Sequence, residues 1–303
     1  MVLEPENLYE VDSDVPDLTG AVLLHHVDGF MDAGSAGASL VEELLNAHEN
    51  RVIARFDVDS LLDYRARRPS MTFVQDHWED YQAPELVVRL LHDQVGTPFL
   101  LMTGPEPDFR WEAFAEAVRQ LVDRWGVRLT IGVHGIPMGV PHTRPLGLTA
   151  HATRPELVKD YQPLFSRVQV PGNVAGLLEL RLGESGHDAI GFAAHVPHYL
   201  VQSTYPAAAL VLLDAVSKAT GLVLSGGSLA ESSRRADAEI ARQVAESDQI
   251  AEVVKALEQQ YDTFTSAKDE DNLLLDPNDI PSADELGAEL ERFLAEQQNG
   301  KTE

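Results

Sequence analysis

DAIGFAAHVPHYLVQSTYPAAALVLLDAV, from Asp188 to Val216, is the stretch whose reading decides the fold. It opens with an apolar run, Ala189 to Ala194, that predicts a buried strand. A polar and aromatic loop follows, with His195, Pro197, His198, Tyr199, Gln202 and Tyr205. Pro206 then suits the first turn of a helix whose packed side carries Ala208, Leu212, Ala215 and Val216. Strand, decorated loop and helix together form the repeating unit of an α/β protein that binds at the carboxyl ends of its strands.

Upstream the unit recurs. Ala21–Val27 reads as the first strand, and the loop DGFMDAGSAG leads to a helix with Leu40, Val41, Leu44 and Leu45 that Asp32 or Ser35 can cap. Arg51–Val58 reads as a second strand, with Arg65, Arg67 and Arg68 just beyond it. Ser70–His77 and Leu86–Leu91 alternate well enough to pair with each other. Pro98–Thr103 is a buried strand, and Trp111–Trp125 an amphipathic helix with Phe114, Val118, Leu121 and Val122 on one side. Val127–Val133 is the next strand. The Gly- and Pro-rich HGIPMGVPHTRP reads as an irregular loop, and a helix starts at Gly172–Val174 and runs through Leu182.

Composition shifts after Gly221. From Ser228 to about Phe264 the chain lacks Gly and Pro, and its apolar residues step as one long amphipathic helix. A break around Pro277 and Pro281 precedes a capping box, Ser282 with Glu285, and a final helix through Leu286, Leu290, Phe293 and Leu294. The expected organisation is an α/β core over 1–221, with a mainly parallel sheet flanked by helices, and a helical appendage over 222–303. The appendage either mediates association or folds back on its own domain.

The 303 residues carry a formal charge of −26, which opposes binding to nucleic acid or anionic membrane. There is no cysteine, so thiolate chemistry, disulfides and cysteine-bound zinc are excluded. The opening MVLEPENLYEVDSDVP lacks the basic and apolar regions of a signal peptide, and the reading is a cytoplasmic protein.

The loops after successive strands hold most of the unusual polar residues. The candidate ligand-binding set is Asp32, Arg65, Arg67, Arg68, Arg110, His134, Arg144, His195, His198 and Tyr199. Parallel strands deliver such loops to one edge, where arginines can hold an anion and a histidine can move a proton. Equally, the arginines can pair with Asp63, Glu106 or Asp108. Ala33-Gly34-Ser35-Ala36-Gly37 approaches a nucleophile elbow but lacks its first glycine and its direct strand-to-helix turn, which favours Ser35 as a cap. His195 with His198, and His134 with His142, have no acidic partner at a metal-site spacing, so no metal or other cofactor is implied.

Several stretches together resemble the proteasome assembly chaperone 2 family in its actinobacterial-type branch. They are GFMDAGSAG (29–37), LLDYRARRP (61–69), GPEPDFRWEAF (104–114), GVHGIPMGVPHTRP (132–145), PGNVAGLLELRLGE (171–184), GFAAHVPHYL (191–200) and IPSADELGAELERFLAEQ (280–297). The resemblance implies a fold like that of the purine nucleoside phosphorylases, and self-assembly, with a trimer as the leading expectation. It implies no catalytic set. The last residues, Asn299 to Glu303, do not form the hydrophobic-Tyr-any tail of archaeal relatives, so docking to a proteasome by that route is not implied. Two functions follow as expectations. One is a non-catalytic assembly or interaction protein with a protein partner. The other is an enzyme or sensor for a small anionic ligand of the nucleoside or phosphate class.

Overall fold

A computed structural model describes residues 4–163 and 167–269. Its main sheet has eight strands: β1 (Tyr9–Val11), β2 (Val22–Asp28), β3 (Asn50–Phe56), β6 (Val87–His92), β7 (Pro98–Pro105), β8 (Leu129–Met138), β9 (Leu148–Ala152) and β10 (Ala189–Pro197). A separate two-stranded hairpin is made by β4 (Thr72–Val74) and β5 (His77–Glu79). The order across the main sheet is β1-β3-β6-β7-β2-β8-β10-β9.

β7, β2, β8 and β10 run parallel to their neighbours in the centre. The pairings of β1 with β3, β3 with β6, β6 with β7 and β10 with β9 are antiparallel. The sheet is therefore mixed: a parallel core of four strands with antiparallel flanks, where the sequence suggested a mainly parallel sheet. The reason is local. A short link joins β6 to β7, and between β3 and β6 lie a four-residue helix, Val58–Leu61, and the small hairpin, with no crossover helix long enough to carry the chain back in parallel.

Helices cover both faces. α3 (Trp111–Trp125) and α4 (Val174–Glu184) lie on one, where Phe114, Val118, Leu121, Leu178 and Leu182 pack against Leu23, Leu100 and Ala189 of the strands. α1 (Ala36–Ala47) and α5 (Pro206–Thr220) lie on the other, with Leu40, Leu44, Leu212 and Val216 against Leu24, Ile131 and Phe192. Alternation along each central strand feeds both cores, and β10 is buried at every position, as a central strand covered on both faces must be. Local chemistry sets the ends. Asn173 accepts a hydrogen bond from the Gly176 amide at 2.8 Å and caps α4, while Gly126 and Gly221 take left-handed conformations that close α3 and α5.

The elements depart from the sequence reading at several places. β1 precedes the expected first strand and pairs with β3. The 70–77 and 86–91 segments do not pair: β4 turns back on β5, and β6 joins the main sheet. HGIPM is strand, because Gly135 and Pro137 lie within the parallel register between β8 and β10. The chain from 227 forms two helices, α6 (Gly227–Ala245) and α7 (Asp248–Asp269), with a break at Glu246 and Ser247. α6 packs on α5 and α1 and buries Leu229. Residues 1–257 form one compact unit, and those from 258 on belong to a second. The capping box at Ser282 and Glu285 and the helix after it lie outside the described residues.

A short helix, α2 (Val58–Leu61), follows β3. Phe114, fully buried, stacks at 5.0 Å on Phe56, so the α3 core reaches strand β3 through one aromatic pair. Phe114→Ala should cost about 3–5 kcal/mol in chemical denaturation. The half-exposed neighbour Phe109→Ala should change stability by no more than about 0.5 kcal/mol.

Candidate functional site

The carboxyl ends of β2, β7, β8 and β10 make the edge where the sequence places its candidate residues. The loop after β2 is organised by Asp32. Its Oδ1 accepts hydrogen bonds from the amides of Gly37 and Gly135, both at 2.8 Å, and its Oδ2 accepts one from Ala38 at 3.0 Å. Two of those amides belong to the first turn of α1 and the third to β8. A helix N-terminus at a strand's carboxyl end is a ready anion site, with free N–H groups and the positive end of the dipole. Here the chain's own carboxylate fills it. Ser35 is not the side-chain cap: its backbone is left-handed, with φ of 50°, and it makes no capping bond.

Gly135 is required by this arrangement. A Cβ there would collide with the Ala33 carbonyl oxygen, so the β2–α1 loop can lie against β8 only if position 135 is bare. His26 completes the cluster. Its Nδ1 lies 3.0 Å from the Val133 carbonyl, and its Nε2 is 3.2 Å from Asp28 Oδ1 and 3.7 Å from Asp32 Oδ2. Burial disfavours charging this imidazole, but the Asp28 hydrogen bond and the charge of Asp32 outweigh it and raise its pKa.

The loop after β7 is tied in the same way. Glu106 is buried and accepts from the Val174 amide, the first residue of α4, at 2.7 Å. Asp108 accepts from the Asp63 amide at 2.8 Å and pairs with Arg67 Nη2 at 2.9 Å. Arg67 also donates to the Asp28 carbonyl at 3.3 Å. Arg67 is therefore an internal tie between the loops after β2, α2 and β7. Arg65, Arg68 and Arg110 are exposed, and none of the three makes an ion pair among the described residues.

The histidines form a separate row on the α3–α4 face. The register His25–Gly132–Gly191–His151 runs across β2, β8, β10 and β9, and the two rings lean inward over the two glycines. His151 is bonded to Glu179 of α4 at 2.9 Å. Burial, reinforced by neighbouring His26 and His134, pulls the His25 pKa down to about 4. His134, on the same side of β8, is also pulled to about 4, by burial first and then by His151, against an opposing pull from Asp32. His195 lies farther along β10, buried, with Nε2 2.8 Å from the Thr149 hydroxyl.

His198 and Tyr199 stand in a short turn after β10. Burial lowers the His198 pKa against an opposing hydrogen bond to the Met138 backbone, and its Nδ1 has no hydrogen-bond partner among the described residues. The Tyr199 hydroxyl accepts from the His142 amide at 2.8 Å and bonds the His142 ring at 2.7 Å. Arg144 donates to the Thr143 carbonyl at 3.4 Å.

The candidate residues thus fall into groups: Asp32 at α1, Arg67 at Asp108, His134 and His195 on the α4 face, and His198 with Tyr199 beyond β10. No hydrogen bond or ion pair joins Arg65, Arg67 or Arg68 to His134 among the described residues. A surface cleft of about 250 Å³ lies elsewhere, between α3 and α4. Its charges are already matched, Arg181 with Glu112 at 2.6 Å and Arg119 with Glu116 at 2.6 Å. Among the described residues no cluster of three or more His, Asp or Glu is placed to hold a metal ion, and no helix is long and apolar enough to cross a membrane.

Sequence reading missed His151, Thr149 and the exposed apolar rim of this edge. Phe30 and Met31 follow β2, Phe109 follows β7, and Phe73 and Trp78 stand on the β4–β5 hairpin, all exposed. The signal for the hairpin was the alternation in TFVQDHW, with the turn at Gln75 and Asp76, whereas a pairing with Leu86–Leu91 requires it beyond His77.

Known proteins resemble this chain over most of its length. A model of the PAC2 family matches residues 26–244. A Mycobacterium tuberculosis protein of unknown function, Rv2714, is 48% identical in a solved structure, with 86% of this chain and 93% of that one covered and a TM-score of 0.82. A Corynebacterium glutamicum protein of unknown function is 37% identical, covering 85% and 97%, with a TM-score of 0.80. The M. tuberculosis proteasome-assembly chaperone homologue Rv2125 is 25% identical, covering 77% and 99%, with a TM-score of 0.71. None of the curated proteins matches.

Two outcomes follow from the geometry. Asp32→Ala should destabilise the fold by about 2–4 kcal/mol, since three amides lose a charged acceptor, and Asp32→Asn should lose less. Denaturant titration of the two variants measures the difference. The second concerns acid. His25 and His134 have folded-state pKa values of about 4, below the ordinary 6.5, so the unfolded chain takes up protons that the folded chain refuses. Their contribution is complete above about pH 6.5 and is lost as pH falls through 4, up to about 3 kcal/mol for His25. His26 works in the opposite sense: its contribution is present below its ordinary value and fades as pH rises through its raised one. Thermal unfolding from pH 7 to pH 4 should therefore show a falling midpoint, and His25→Leu should flatten that fall.

Proposed function

Because this chain belongs to the PAC2 family, we propose that it is a non-catalytic assembly or interaction protein that works through protein contacts at the carboxyl edge of its sheet. The observation that carries this reading is the occupied anion position at α1. Asp32 already satisfies the Gly37, Ala38 and Gly135 amides, and a phosphate there would meet a carboxylate in place of free N–H groups. Glu106 does the same at the first turn of α4, and Arg67 is spent on Asp108. What the edge presents outward is Phe30, Met31 and Phe109, an apolar rim of the kind that protein partners cover.

A relative described as a proteasome-assembly chaperone homologue supports the same direction. The reading extends to a phosphorylase-like strand layout, a cytoplasmic setting, self-association with a trimer as the expected form, and the segment after 221 as a helical appendage. The alternative, an enzyme or sensor for a small anionic ligand, draws no support from the relatives.

The test has two arms. Tagged full-length protein should retain a specific protein partner, and Phe30→Ser with Phe109→Ser should release it without lowering the unfolding midpoint. Inorganic phosphate, nucleosides and nucleotides, each supplied well above a millimolar Kd, should leave the midpoint unchanged, because only a ligand that binds the folded state raises it. A dose-dependent rise with phosphate, lost in Arg67→Ala, would sink the reading.

A further inference from the structure

Three loops meet at the carboxyl edge, and Arg67 ties them together. The Asp28 carbonyl accepts from the Glu106 amide at 2.7 Å and from Arg67 at 3.3 Å. Arg67 pairs with Asp108, and the Asp108 and Phe109 amides donate to the Leu61 carbonyl at 2.8 and 3.1 Å. A Cβ on Gly29 would meet Glu106 and Arg67, so the loop after β2 lies directly on the other two. What the loops hold outward therefore forms one patch. The loop after β2 displays Phe30 and Met31, the loop after α2 displays Arg65 and Arg68, and the loop after β7 displays Phe109 and Arg110.

The charges of this patch are out of balance. Its carboxylates are engaged: Asp108 with Arg67, Asp63 with the Arg65 amide at 2.9 Å, and Asp28 with His26 at 3.2 Å. The guanidinium groups of Arg65, Arg68 and Arg110 have no ion pair or hydrogen bond among the described residues. With 49 acidic residues against 23 basic ones, a cation in this chain has carboxylates to choose from, and Arg119, Arg181 and Arg242 each pair with one. The three arginines of the edge instead stand among exposed apolar side chains. Arginine beside aromatic residues and methionine is the composition of a protein-binding centre.

The mixture also selects what can cover it. A small inorganic ion gains little from exposed guanidinium groups in water and leaves Phe30, Met31 and Phe109 uncovered. A wholly apolar segment covers the rim but takes water from the cations and returns no partner. Resting on the partner reading above, we propose that this patch recognises a segment of another protein in which aspartate or glutamate residues flank an apolar core. The core packs on Phe30, Met31 and Phe109, and the carboxylates take bidentate bonds from Arg65, Arg68 and Arg110. The charge of −26 repels such a segment from the rest of the surface and so directs it to this edge.

The experiment is fluorescence anisotropy with the full-length protein and a short labelled peptide that carries glutamates on both sides of a Phe-Leu-Leu core. The peptide should bind, and raising salt from about 0.05 to 0.5 M should weaken it several-fold. Arg65→Glu with Arg68→Glu and Arg110→Glu should weaken binding at least about tenfold, with the unfolding midpoint unchanged. The same loss is expected when serines replace the peptide's core, and a peptide with lysines for its glutamates should not bind. Absence of binding, binding untouched by the arginine variant, or equal binding of the coreless peptide would each overturn the proposal. A protein partner released by Phe30→Ser with Phe109→Ser but kept by the arginine variant would overturn it while leaving the partner reading intact. If neither variant releases a partner, both fall. An arginine variant that only separates copies of this chain, with peptide binding unchanged, also defeats the proposal.

Discussion

The carboxylate of Asp32 is the constraint on which the edge of this molecule depends. Three amides converge on it, two from the start of α1 and one from β8, so a single side chain fixes both the helix that covers one face and its approach to the central strand. The contact is possible because position 135 has no side chain, which lets the Ala33 carbonyl come against the strand. Charge, backbone and packing reinforce one another here. The helix dipole favours the anion, the anion orders the loop, and the ordered loop seats Ala33 and Ala36 in the core.

The same device is repeated along the edge with different partners. Glu106 takes the α4 amide, Asp108 takes the Asp63 amide and Arg67, and Asp93, at the other end of the sheet, takes the amides of Val95, Thr97 and Val223. Part of the acidity of this sequence is thus structural: internal carboxylates stand where other α/β proteins hold ligands. A sheet edge closed in this manner has helix-start amides taken by internal carboxylates, and carries tied loops on which apolar side chains are displayed. That combination suits recognition of surfaces more than recognition of metabolites.

Much of the architecture was legible because burial writes itself into periodicity. Trp111–Trp125 carries its apolar stripe at helical spacing, and its ends in the structure coincide with those read from the sequence. β10 was legible as an unbroken apolar run. Direction was not legible. Whether Leu86–Leu91 pairs with a hairpin or with β3 and β7 depends on partners far along the chain, and alternation is the same in both cases. HGIPM misled because Gly and Pro usually break strands, whereas here Gly135 is bare to admit a neighbouring loop. At the site, the residue types were legible and their employment was not. Arg67 reads as an anion ligand until Asp108 is seen beside it, and Asp32 as a helix cap until the third amide, more than a hundred residues away, is found.

The strand order also has a consequence for synthesis. β2 sits between β7 and β8, so the strand that centres the sheet is made early and waits for both neighbours, the second of which ends at Met138. Until then an emerging chain holds an unpaired apolar strand, the kind of segment that adheres to other chains. Its composition bears on that interval. Two histidines interrupt the run VLLHHV, one facing each side of the strand. Before the sheet closes both are in water with ordinary basicity, and each breaks the apolar surface of its face. Closure then holds His25 neutral by burial and binds His26 to Asp28.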